Sequence, residues 1–218
     1  MAVPAAMDES QIERLIQDFA EGAQRALDAG FDTLEIHAAH GYLLHEFMSP
    51  LSNQRDDDWG GSEDKRFRLP LEVITAVRGV IPEGMPLLLR VSASDWLAGG
   101  LDAEVVQRFA QRAKERGADM IDVSSGGLLP AEIPVSPGYQ TAFAALIRRK
   151  ADLPTAAVGM IIEAAQAEHI VTSGQADAVM LGRVALRDPH WWLRAAQSLG
   201  IKPDLVPQYE RAVPSTGS

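Results

Sequence analysis

Two histidines three positions apart, His37 and His40, stand with Tyr42 at the point where the apolar run FDTLEIHAA gives way to a loop. Imidazoles at this spacing diverge on an extended strand and converge once the chain bends. They could donate hydrogen bonds to an anionic or carbonyl oxygen, exchange protons, or bind a metal; a pair of buried, satisfied histidines is the plainer alternative. Glu35 is the one obvious third metal ligand, and its place inside a strand suits packing or a buried pair better. Beyond the flexible Gly41, Tyr42 could bring a phenol to the same pocket as a proton donor, or serve as an amphipathic side chain at the loop base.

A second group lies further along. Arg90 interrupts the apolar run LLLRVSA, and a guanidinium inside such a strand requires an anionic partner. That partner is either a carboxylate, phosphate or delocalised anion bound there, or an internal ion pair with Asp122 or Glu35. Gly159, Gly182 and Arg183 combine backbone N–H groups clear of side chains with one planar cation, which suits a phosphate dianion. Ser124, Ser125 and Gly126, at the end of another apolar run, could add donors. The triplet Asp56, Asp57 and Asp58 reads as a solvated loop, and Trp191 and Trp192 as packing for the last helix.

The elements that must position these groups follow from periodicity. Helical patterns over residues 8–29, 63–80, 102–116, 140–150, 163–173 and 189–199 alternate with strand-like runs in FDTLEIHAA, MPLLLRVSA, DMIDVSS, PTAAVGM and DAVMLGR. Such alternation predicts parallel strands joined by crossover helices that cover both faces. The phrases DAGFDTLEI, ERGADMIDV and TSGQADAVM place a Gly at the close of a helix and an Asp before the next strand. Residues 41–67 form one interruption far longer than the roughly 2 to 6 residues of an ordinary βα loop.

Five strands fall short of the eight in a (β/α)8 barrel of about 250 residues. A doubly wound domain would carry its glycine-rich phosphate turn after the first strand; here HAAHGY occupies that place, and the phosphate-like features follow the last two strands. The five strands therefore read as the fourth to eighth of a TIM barrel, in a single domain over residues 1–218. An open sheet of this kind exposes two edges and an apolar interior, so association is expected.

Composition excludes several classes of function. With 20 basic and 30 acidic side chains the formal net charge is −10, which disfavours nucleic acid and anionic membranes as partners. The chain has no cysteine, so thiolate metal sites, thiol nucleophiles and disulfides are ruled out. No targeting segment or membrane span is read, and cytoplasm is the expected location.

The segment HAAHGYLLHEFMSPLSNQRDDDWGGSEDKRFR, followed in order by RVSASD, SSGG, AVGMI and LGRVALRDP, resembles the old yellow enzyme family from about residue 8 to residue 211. The His-x-x-His form, PGYQ at residues 137–140 and QYER at residues 208–211 are similar to its bacterial NADPH dehydrogenase and xenobiotic reductase subgroup. The resemblance implies a TIM barrel that holds FMN at its C-terminal face, with NADPH or NADH as reductant and an enone or nitro compound as acceptor. It implies that His37 and His40 hold the acceptor oxygen, that Tyr42 donates a proton, and that Arg90 lies beside the flavin N1 and O2. Gly159, Gly182 and Arg183 would hold the FMN phosphate, with Ser125 and Gly126 also at the cofactor. Arg211 would reach substrate in a neighbouring subunit. The family's first three strands have no counterpart here, so a homo-oligomer or partner chain is expected to complete the barrel. Competing readings are a non-redox barrel acting on a phosphorylated substrate, with the histidines as acid and base, and an inactive interaction fragment.

Overall fold

The computed structural model describes residues 5–203 and 205–212. Met1 and both ends of the expected 1–218 domain lie outside them. The elements run α1 (Glu9–Asp28), β1 (Leu34–Ala38), α2 (Leu43–Met48), α3 (Glu63–Arg78), β2 (Leu87–Ser92), α4 (Ala103–Glu115) and β3 (Met120–Ser124). They continue with α5 (Thr141–Ala151), β4 (Thr155–Ala157), α6 (Ala164–Thr172), β5 (Ala178–Val179), α7 (Arg183–Arg187) and α8 (Trp191–Ser198), and end with a 3₁₀ turn (Pro207–Ala212). Each expected helix is present within about two residues, and each expected strand lies inside its run, β4 and β5 ending three and four residues short of theirs.

Local chemistry sets the helix ends. Asp8 caps α1, accepting from the Gln11 N–H at 2.9 Å while Gln11 Oε1 accepts from the Asp8 N–H at 2.9 Å, which satisfies two amides that the first turn leaves unpaired. Ser62 and Asp102 cap α3 and α4 through one bond each, accepting from the Lys65 and Val105 N–H. Gly30, Gly117 and Gly174 take φ of +86°, +97° and +71° just after α1, α4 and α6, so the repeated Gly serves the left-handed exit predicted for it.

All five strands are parallel and hydrogen-bonded in chain order, β1-β2-β3-β4-β5. A doubly wound sheet reverses its order at a switch point; an uninterrupted order with right-handed crossovers puts every helix on one side and describes an arc of a barrel. The expectation of helices on both faces is therefore corrected. Ile36, Leu87, Leu89, Val91, Ile121 and Val123 point to the helices and are buried. Glu35, His37, Arg90 and Asp122 alternate with them and share the opposite, inner face, with His37 beside Arg90 and Arg90 beside Asp122 in register. Outside the arc α1 packs on α3, and α4 on α5.

The Asp before each of two strands fastens the far end of the sheet. Asp119 accepts from the Leu87 N–H that opens β2 and from Arg78 of α3, while Asp177 accepts from the Thr155 N–H that opens β4 and from Arg148 of α5. Asp177→Ala strands a buried strand amide and a guanidinium together. We expect it to lower unfolding free energy by about 1–3 kcal/mol, read from urea melts.

The long interruption is neither disordered nor wholly irregular. It contains α2, whose Leu44, Phe47 and Met48 are buried, and a return segment held by Asn53, which donates to the carbonyls of Phe47 (2.8 Å) and Trp59 (2.7 Å). Asp57 pairs with Arg55 at 2.6 Å and Asp58 with Lys65 at 3.0 Å, so these two carboxylates of the triplet are engaged by neighbouring cations. Trp191 is buried and donates to the Ile162 carbonyl at 2.8 Å; Trp192 sets one edge against the Trp191 ring, centroids 4.8 Å apart, and leaves the rest of its surface exposed. Among the described residues no helix is long and apolar enough to cross a membrane.

Candidate active site on the C-terminal rim

Because the strands are parallel, every loop that leaves a strand's C-terminal end opens on the same rim. His37, on β1, lies on the inner face. The chain then turns sharply: His40 and Gly41 both adopt left-handed φ, +57° and +75°, before Tyr42 starts α2. This bend brings the His37 ring centroid 5.3 Å from that of His40 and 5.3 Å from that of Tyr42. The convergence anticipated from spacing thus occurs, and it is made by the turn. At these separations one ligand oxygen can reach both imidazoles.

Neighbouring loops hold the turn. Ser92 at the end of β2 accepts from the His40 N–H at 3.0 Å and donates to the Gly126 carbonyl at 2.8 Å, tying the ends of β1, β2 and β3 together. His40 Nε2 lies 2.7 Å from Ser124 Oγ, which leaves Nδ1 for another partner. Burial, then the nearby Arg90, His37 and His45, push the His40 pKa from 6.5 down to about 4. His37 is also lowered, by desolvation first and then by Arg90 and His45. Above the acidic range both rings are therefore neutral, suited to donating hydrogen bonds without carrying charge.

The sign of the linkage follows. Between about pH 6.5 and 4 the unfolded chain takes up a proton that folded His40 refuses, so its contribution to stability is complete above 6.5 and is lost as pH falls to about 4. In an NMR titration of the native protein the His40 ring should stay neutral down to about pH 4. A titration midpoint near 6.5 would refute the burial that causes this shift.

Arg90 faces the inner side of the arc, where the internal ion pair with Asp122 is made only in part. Its Nε lies 3.3 Å from Asp122 Oδ2, yet neither that Nε nor Asp122 Oδ1 makes a hydrogen bond among the described residues. Asp122 is raised by its own burial against the pull of Arg90, and Glu35 by burial and by Asp122. One guanidinium therefore stands between two carboxylates with hydrogen-bonding capacity left over.

The glycine and arginine corner is a cleft of about 310 Å³ lined by Ser124, Gln140, Gly159, Met160, Gly182, Arg183 and Arg187, among others. Gly159 has φ of +119°, and a Cβ there would stand 2.7 Å from Gln140 Nε2 and 2.9 Å from Tyr139 Cε1. Neither Arg183 nor Arg187 has a carboxylate partner among the described residues. Ser124 belongs to this cleft and to the His40 hydrogen bond, so the two groups form one continuous site.

Not every expected residue contributes as expected. The hydroxyl of Ser125 donates to Gln140 Oε1 at 2.5 Å and accepts from Trp96 Nε1 at 2.9 Å, and the Gly126 N–H donates to the Ser94 carbonyl at 2.7 Å. These donors are spent inside the protein, which makes Ser125 and Gly126 builders of the rim. Arg211 is exposed in the C-terminal 3₁₀ turn, with no ion pair or hydrogen bond to the rim among the described residues. Sequence reasoning missed the structural work of Gln140, which bridges Ser125 and the Val158 carbonyl (2.9 Å), and also the buried pair His45 and Asp95. The spacing of HAAHGYLLH, with a third histidine four residues after Gly41, was the available signal for His45.

Residues 1–201 match the profile of the NADH:flavin oxidoreductase / NADH oxidase family. The chain is 51% identical over 208 residues to an NADPH dehydrogenase of Geobacillus thermodenitrificans (strain NG80-2), covering 95% of this chain and 61% of that protein. It is 49% identical over 210 residues to the NADPH dehydrogenase of Bacillus subtilis (strain 168), covering 96% and 62%. Among solved structures it superposes on the old yellow enzyme homologue from Zymomonas mobilis with a TM-score of 0.76 at 26% identity, covering 95% of this chain and 58% of that one. The chain thus spans about three fifths of the length of these curated relatives.

Proposed function

The chain belongs to the NADH:flavin oxidoreductase / NADH oxidase family, and from that premise we propose that it supplies the acceptor site and phosphate corner of an FMN-dependent oxidoreductase. NADPH or NADH is the reductant, and an enone or nitro compound the acceptor. The observation that carries this reading is the continuity of the rim: neutral imidazoles at one end, unpaired arginines and a side-chain-free glycine at the other, joined through Ser124.

The residues present fit the cofactor. Arg183, Arg187 and the backbone at Gly159 and Gly182 would hold its phosphate, and the spare hydrogen-bonding capacity of the buried Arg90 Nε suits an anionic ring edge. FMN, when bound, supplies the hydride chemistry. His37 and His40 bind the acceptor oxygen and, as neutral donors, stabilise the negative charge that grows on it. Tyr42, exposed at the start of α2 and edge-on to His37, holds the proton that the acceptor's carbon requires. Arg211 is kept as a substrate contact of a neighbouring subunit.

The open inner face and edge of β1 support a completing segment or subunit. Beside β1 lies an apolar groove of about 480 Å³ formed by Leu15, Phe19, Leu34, Ile36 and Val77, among others. The polypeptide of residues 1–218 made alone is expected to self-associate and to hold FMN weakly. The acidic, cysteine-free composition fits a cytoplasmic enzyme.

The test joins this chain to the part of its relatives that it does not span and titrates the assembly with FMN. We expect one flavin per site, bleached by NADPH in the absence of oxygen and recoloured by an enone. Arg183→Ala should weaken FMN by about 1–3 kcal/mol, the range of a lost charge-assisted hydrogen bond. A colourless assembly, or stoichiometric flavin in a monomer of residues 1–218, would contradict these expectations.

A further inference from the structure

We propose that His45 is a positioning residue for the acceptor site, because its Nδ1 holds the amide of Gly41 and with it the left-handed turn that aims His40. This rests on the reading of His37 and His40 as donors to the acceptor oxygen.

The turn needs such support. A residue with a Cβ, such as His40, persists in the left-handed region only where its surroundings hold it. Three consecutive amides are fixed there: His40 N–H by Ser92 Oγ, Gly41 N–H by His45 Nδ1 at 2.9 Å, and Tyr42 N–H by the Ala39 carbonyl at 3.2 Å. Accepting from Gly41 leaves the proton of His45 on Nε2, which lies 2.8 Å from Asp95 Oδ1. The other Asp95 oxygen takes the Ser49 hydroxyl at 2.6 Å and the Leu101 N–H at 2.8 Å. Burial opposes the charge on Asp95, and these hydrogen bonds together outweigh it and hold its pKa below the ordinary carboxylate range. His45 is itself fully buried and lines no cavity described above, so it acts on the acceptor only through the turn. The relay runs from the rim of β1 to the loop that precedes α4.

The test uses the flavin-loaded assembly of the preceding section and three substitutions, His45→Asn, His45→Gln and His45→Leu. Asn places an acceptor oxygen where Nδ1 stands and keeps the Gly41 bond; Gln reaches towards Asp95 instead and gives up the turn. Affinity for 4-nitrophenolate, a flat oxygen anion whose absorbance reports binding, is measured beside KM and kcat for an enone. H45Q and H45L should weaken nitrophenolate roughly tenfold and raise KM, the scale expected when donors are misplaced by a fraction of an ångström, while H45N stays within about threefold. FMN content should be unchanged in all three. A merely structural role predicts that Gln rescues at least as well as Asn, and that result overturns the proposal. Should the three fail to fold, Ser49→Ala loosens Asp95 without altering His45, freeing only the Leu51 N–H besides; weaker nitrophenolate binding supports the relay and unchanged affinity overturns it. Nitrophenolate binding that is equal in unmodified protein and His37→Ala would instead sink the acceptor-site reading itself.

Discussion

Replacing His40 with alanine should lower kcat/KM for an enone acceptor by about a hundredfold to a thousandfold, the usual consequence of removing one preorganised donor from a developing oxyanion. The expectation comes from the charge state and placement of the ring. Burial and Arg90 keep His40 neutral, with a pKa of about 4, so it loses no water-bound charge when the acceptor arrives. With the Ser124 hydroxyl donating to Nε2 across the 2.7 Å contact, the single proton of the neutral ring lies on Nδ1, and with the backbone held by Ser92 at 3.0 Å that donor is oriented before the reaction starts. Loss should fall mainly on steps that involve the acceptor. Reduction of the loaded protein by NADPH, followed anaerobically in a stopped-flow instrument, should change less than reoxidation by the enone. His40→Gln, which keeps a neutral donor, should recover part of the loss. A fall of less than threefold for H40A would show that the oxygen is held elsewhere.

The second large effect concerns backbone. Gly41 has φ of +75°, and a Cβ on it would lie 2.3 Å from the Gly127 carbonyl oxygen and 3.2 Å from both Gly127 C and Leu128 Cα. These are main-chain atoms that cannot rotate away. Gly127 meets the same contact from the other side, where a Cβ would lie 2.6 Å from His40 Cα. Gly41→Ala must therefore push the loop after β3 away from the His40 turn. It should cost about 2–4 kcal/mol of stability and most of the acceptor affinity without deleting any polar group. Two other glycines separate the causes. Gly30 has φ of +86° with open space around it, and Gly84 has open space without a positive φ. G30A should cost about 1 kcal/mol, the strain of a left-handed Cβ, and G84A within about 0.5 kcal/mol of nothing. Urea melts that place G41A level with G30A would show that the two loops do not meet as described.

The elements and the chemistry of the rim were legible in the residues alone to different degrees. Each expected helix and strand appears because apolar periodicity and end signals such as Asp8, Ser62 and Gly30 act within a few residues of the chain. α2 escaped because its six residues fall inside a loop rich in turn formers, although Leu44, Phe47 and Met48 already carry helical spacing. His37, His40, Tyr42, Arg90, Gly159, Gly182 and Arg183 stood out because imidazole, guanidinium and bare backbone are unusual at strand ends, whatever the fold around them.

What tertiary structure decided is which of these groups meet and which spend their hydrogen bonds on one another. Ser125 and Gly126 had the right chemistry for a ligand but turned inward, to Gln140 and Ser94, which lie 15 and 32 positions away in the chain. The alternation led to the expectation of helices on both faces, which was wrong because each βαβ unit is locally the same in an arc of a barrel and in a doubly wound sheet. Only the uninterrupted strand order β1 to β5 settles that. The relay from Gly41 through His45 to Asp95 and the contact of Gly41 with Gly127 join segments about 50 and 86 residues apart. Periodicity and capping are written in near neighbours; encounters of that range depend on how the strands come to lie side by side, and no short stretch of sequence contains them.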